Sequence, residues 1–238
     1  MSTPLAFHQL AVAIHDPDVV FTDLGLAILG AWLGWRLWAR TGPGTLPRAG
    51  VVLLGGLASA AFWGAVFHAF FPADTATLPG FIAWIPVALS ILVVGATLLE
   101  LSLRLLAPRL APSVRGAFVS IYAAGFAAVV LLVDESFASI VRFYVPPLLL
   151  FLIAAVRQAI RGASTAWTLI AVAFIVSAGA ALLQQAEVSI HPVYFDHNAV
   201  YHVVQAVAVV LLYLGFRRSP EVPAGAYGSG TDRVSRSG

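Results

Sequence analysis

Seven long apolar runs, separated by short polar or glycine- and proline-rich breaks, leave this chain few ways to fold. About twenty apolar residues in a helix cross the roughly 30 Å of hydrocarbon in a bilayer, and a helix satisfies its own backbone hydrogen bonds there. By that length the runs fall at about 19 to 39, 50 to 71, 80 to 104, 113 to 133, 136 to 159, 163 to 187 and 197 to 216. Residues are 60% hydrophobic and 10% charged, too few polar side chains to coat a soluble domain. The expected architecture is all-α: a polytopic membrane protein with a seven-transmembrane-helix bundle over residues 1–218. Residues 1–18 read as a short interfacial segment, and 219–238, rich in Gly, Ser and Pro, as a disordered cytoplasmic tail.

Arginine sets the expected orientation. All 13 basic residues are arginine. Arg36, Arg40 and Arg48 flank the first connection, Arg104, Arg109 and Arg115 the third, Arg157 and Arg161 the fifth, and Arg217, Arg218, Arg233 and Arg236 the tail; only Arg142 falls elsewhere. Cytoplasmic loops carry the excess of arginine, so the N-terminus is expected outside and the C-terminus in the cytoplasm. All six histidines and all acids except Glu100, Glu221 and Asp232 then fall in the outer half. The absence of lysine removes a Schiff-base residue, and the absence of cysteine removes thiolate ligands and disulfides.

The densest chemistry opens the seventh run, Asp196-His197-Asn198-Ala199-Val200-Tyr201-His202, with Asp196 or Asn198 as the expected helix cap. Asp23 is expected about one turn inside the first span, His68 about one turn before the end of the second, and His202 about one turn into the seventh. In a ring of sequential neighbours these helices adjoin, so the three side chains can converge on one outward-facing pocket. Ionisable groups at such depth usually face a cavity, a partner or a metal. Two imidazoles and a carboxylate suit a divalent ion, above all Zn2+, with a fourth position open to water. Such a water attacks an amide or ester carbonyl. His197 is a further candidate ligand, and Asp196, Asn198 and Tyr201 are candidate catalytic groups: orienting a ligand, donating to an oxyanion or shuttling a proton. The plainer alternative is a satisfied buried Asp–His pair tying the ends of the bundle together.

Gly64-Ala65-Val66-Phe67-His68 near the end of span 2 and Asn198-Ala199-Val200-Tyr201-His202 opening span 7 resemble the CREST superfamily, which includes alkaline ceramidases and the progestin and adiponectin receptor family. The resemblance is to a bacterial branch, and it implies a zinc held by histidines of spans 2 and 7. It also implies a membrane-embedded metal-dependent hydrolase of a lipid amide or ester in the inner (cytoplasmic) membrane, its site facing the periplasm. The superfamily carries Ser where this chain has Gly64 and a second histidine where it has Asn198. Asp74 is the counterpart of the superfamily's acid near span 2 or 3, and Asp23 or His197 stands in for the missing ligand.

Arg142 lies seven residues after Glu135 in the fifth span, which suggests an internal ion pair or, alternatively, a substrate-binding set for a lipid phosphate or carboxylate. The expected partner is a membrane lipid or lipid-like substrate, and nothing points to nucleic acid. A non-enzymatic heptahelical receptor or lipid-binding protein is the second reading. A proton-coupled transporter is the third, disfavoured because almost no ionisable residue falls at the midplane.

Overall fold

A computed structural model of the chain describes residues 14–42, 45–71, 75–162, 164–191 and 194–219. Within them are seven α-helices: α1 (Pro17–Trp38), α2 (Leu46–Phe70), α3 (Leu78–Leu106), α4 (Pro112–Leu132), α5 (Phe137–Gly162), α6 (Thr165–Gln185) and α7 (His197–Arg218). All seven are long and apolar enough to cross a membrane. Proline in the first turn starts α1 to α4, where a missing N–H costs nothing. α5 runs unbroken through Pro146 and Pro147. The expected interfacial segment up to residue 13, the tail from 220 and Asp74 lie outside the described residues.

Six helices close a ring in the order α1, α2, α3, α5, α6, α7, and α4 stands outside it against α3 and α5. That departs from a sequential seven-helix ring. The reason is visible in α4 itself, where only Phe126 and Val130 are buried and Ile121 and Leu132 face outward. Lipid solvates such side chains as well as protein does, so apolar surface alone does not pull a helix into the ring. Close backbone approach does. Gly30 of α1 sits where an added Cβ would stand 3.1 Å from Ala58 Cβ, and Gly34 packs likewise on Leu54, so α1 and α2 lie tightly together.

The two ends of the bundle differ in content. At the arginine end the ring is filled by Leu37, Leu54, Leu98, Phe151 and Phe216, each essentially inaccessible. At the other end backbone and side-chain bonds tie the helix ends together. The His15 N–H donates to the Ala69 carbonyl (3.1 Å), and Trp84 Nε1 donates to the Glu135 carbonyl (2.8 Å). Between them the ring is hollow.

Candidate active site

α7 begins where Asp196 makes it begin. Its Oδ1 accepts from the N–H groups of Asn198 (2.8 Å) and Ala199 (2.9 Å), satisfying two donors that the first turn leaves without partners. Its other oxygen accepts from Asn198 Nδ2 at 3.3 Å, and its own N–H donates to Asp18 Oδ2 at 2.9 Å. Gln184 Nε2 donates to Asn198 Oδ1 at 2.7 Å. The start of α7 is thereby fixed to α1 and α6, and with it the direction of the His202 ring.

His202 is engaged on both nitrogens. Nε2 lies 3.1 Å from Asp23 Oδ1, and Nδ1 lies 3.0 Å from Thr22 Oγ1. The Thr22 hydroxyl is also 2.8 Å from the Asp18 carbonyl and 3.0 Å from the Val19 carbonyl, both acceptors only. Its one proton therefore points to the backbone, and its lone pair receives the proton on Nδ1, a tautomer assigned from the network. Nε2 then presents a lone pair to a carboxyl oxygen. Two acceptors at that separation require a positive centre between or beside them, either a proton or a metal ion. Both residues are buried, Asp23 at 4% and His202 at 8% exposure, so water does not screen the contact.

This pair forms one wall of a cavity of about 480 Å³ inside the ring. Tyr201, Asn198, His68 and Gln205 also line it, and Trp84, Phe67 and Val87 supply apolar surface. Gly64 makes the arrangement possible: a Cβ there would stand 3.0 Å from Asp23 Oδ2, so the carboxyl occupies the space that a side chain would fill. The glycine at position 64 and the acid at position 23 are thus one feature.

The other candidates are distributed unevenly. By helical rise Asp23 lies about 9 Å and His202 about 7.5 Å inside their helices, but His68 only about 3 Å from the end of α2. His68 Nδ1 is buried without a hydrogen-bond partner, 3.6 Å from Asp16 Oδ2. Among the described residues no three His, Asp or Glu side chains stand gathered as a ready ligand cluster. His197 and Asp196 are not among the cavity-lining residues, whereas Glu135 is. Arg142 is not: its side chain is 73% exposed and lies 3.7 Å from Asp134 Oδ2. The expected Glu135–Arg142 pair does not form, because α5 starts at Phe137 and Glu135 precedes the helix on which a seven-residue spacing has meaning.

The structure adds Thr22 and Gln184 as hydrogen-bond partners of the site residues, and Gln205 on the cavity lining. The signal for Gln205 was available, since it is a polar residue one turn beyond His202 in an apolar helix.

The chain belongs to a family of unknown function, DUF6962, whose profile matches residues 19–221 and so takes in all seven helices but the first two residues of α1. No curated protein and no solved structure matches it.

Proposed function

We propose that this protein is a membrane-embedded, metal-dependent hydrolase of a lipid amide or ester. The observation that supports it most is the Asp23–His202 edge on the cavity wall. Zinc bonds to nitrogen and oxygen are about 2.0–2.1 Å, so two ligand atoms of a tetrahedral ion stand about 3.3 Å apart. The 3.1 Å separation fits that edge. Thr22 on Nδ1 is the kind of outer partner that fixes a metal-binding imidazole in the right tautomer. His68, part-exposed but with a buried Nδ1 that has no hydrogen-bond partner, lines the same cavity and is the third candidate ligand. When bound, a divalent ion supplies an acidified water and polarises the scissile carbonyl.

The chain's own groups suit the rest of the task. The apolar wall takes the hydrocarbon of the substrate and excludes bulk water. Tyr201 has a hydroxyl to offer the leaving group or the carbonyl oxygen. Asn198 keeps one N–H free after donating the other to Asp196, and Gln184 holds its carbonyl, so it can donate to a developing oxyanion. Asp196 is a positioning residue, its oxygens committed to the start of α7. The arginine distribution supports an outward-facing cavity with the C-terminus in the cytoplasm, in an inner-membrane setting.

A second reading rests on the same edge. If a proton stands between Asp23 and His202, the cavity is the binding site of a lipid receptor or carrier. Elemental analysis of protein purified without chelator separates the two. The hydrolase reading expects about one divalent ion per chain and its loss in His68→Ala and His202→Ala; a folded, metal-free wild type overturns it.

A further inference from the structure

The floor of the cavity carries a polar group that the hydrolytic reading does not use. Gln205 is 8% exposed, and its Oε1 is buried without a hydrogen-bond partner. A buried amide oxygen left unpaired in an apolar interior is costly, and such groups are normally satisfied by protein or water. Gln205 is also a shared wall. It lines the large cavity and a small chamber beyond it of about 10 Å³, whose lining includes Tyr144 and Ser177 and is otherwise mostly apolar. That volume accepts one water molecule or one hydroxyl group and little else. Leu57 and Val209 also border both spaces, so the chamber continues the cavity inwards. His202 and Gln205 are three residues apart on α7, hence neighbours on one side of the helix with Gln205 about 4.5 Å deeper.

We propose that Gln205, Tyr144 and Ser177 form a second subsite that hydrogen-bonds a hydroxyl on the hydrocarbon portion of the bound lipid, one helical turn deeper than the reacting carbonyl. The inference rests on the reading of the cavity as a lipid site. A plain chain leaves the Gln205 oxygen to a trapped water or unpaired; a hydroxylated chain supplies the missing donor and keeps the rest of its contacts. Selectivity follows from that difference.

The test uses the full chain in lipid nanodiscs and a probe that cannot be cleaved. A long-chain 2-alkanone presents the carbonyl without a leaving group, and is compared with the same chain bearing a hydroxyl two or four carbons further along. The expected result is a preference of roughly fivefold for one hydroxylated ketone, the worth of one net hydrogen bond. Gln205→Leu abolishes the preference while plain-ketone binding persists. Ser177→Ala, a smaller change that keeps the fold, reduces it. Equal affinity for plain and hydroxylated chains in the wild type overturns the subsite but leaves the lipid cavity standing, as does a preference that survives Gln205→Leu. Failure of every ketone to bind overturns both.

Discussion

Asp23 and Asp134 stand at the same end of the bundle, each with a hydrogen-bonding partner and each near a basic group, and they are opposite kinds of site. Asp134 draws its partners from the next eight residues. The Ser139 hydroxyl donates to one oxygen, the Ser136 N–H donates to the other at 3.1 Å, and Arg142 lies 3.7 Å away. Ser139 is buried, but the Asp134 side chain is 42% exposed and meets solvent. Asp23 is 4% exposed and is held by a histidine from the far end of the chain, in a notch left by a glycine of a third helix. The local site can form whenever α5 starts. The distant one exists only when α1, α2 and α7 are assembled, and its geometry is therefore a readout of the whole ring.

The sharpest way to break the contrast is His202→Leu. It leaves the Asp23 carboxyl buried without its partner, and a buried polar group stranded in this way costs about 1–3 kcal/mol. Asp23→Asn makes the complementary change, since an amide N–H can donate to the Nε2 lone pair and keep the contact. The hydrolase reading expects His202→Leu to melt well below the wild type. It expects Asp23→Asn to melt close to the wild type yet lose its metal. Thermal melts with elemental analysis on both variants check this, and metal retained by Asp23→Asn would remove the carboxylate from the ligand set.

Gly64→Ala tests the notch at smaller amplitude. The new methyl meets Asp23 Oδ2 at 3.0 Å, a contact relieved by a shift of a few tenths of an ångström in the carboxyl. Overpacking of this kind costs about 1 kcal/mol, the low end of its range, because the displaced atom ends a side chain. Its effect on metal affinity should exceed its effect on stability, since a ligand atom moves while the core does not. An unchanged metal affinity would show that the carboxyl has another place to go.

These sites differ equally in how far the sequence exposed them. Span positions were readable to within about four residues, because crossing a bilayer is a local demand on length and hydropathy. The Asp23–His202 pairing followed from depth and helix neighbourhood alone. Two things did not follow. The exclusion of α4 from the ring depends on which helices approach closely, and apolar composition is silent on that when lipid and protein solvate leucine alike. His68 lies one residue nearer the end of α2 than an end at Phe71 implies, about 1.5 Å in depth. The Arg142 pairing failed for a related reason: helical spacing was applied across Asp134-Glu135-Ser136, where no helix exists.

Arg142→Gln probes the exposed site. An ion pair at 3.7 Å with a guanidinium 73% exposed contributes little, as surface pairs do. The expected outcome is no measurable change in melting temperature, metal content or ketone binding. Weakened ketone binding would instead return Arg142 to the ligand-recognition set and join the two sites that the structure separates.

The smallest effect is the pH response of Asp134. The Ser139 hydroxyl, then the Ser136 hydroxyl and N–H, with Arg142 adding to them, hold its carboxyl below the ordinary value of 3.8. A carboxyl whose pKa is depressed by folding contributes stability that is fully present above its unfolded value and is lost as pH falls through the folded one. The window therefore lies below about pH 3.8, well under the range in which histidines titrate. Asp134→Asn should be slightly less stable than the wild type at neutral pH, and the difference should close only in strong acid. Melting curves of the two proteins between pH 7 and pH 3 measure it. A difference that closes between pH 5 and 7 instead would mean that the acid responding there is not Asp134, and that the exposed and buried sites are coupled through the histidines.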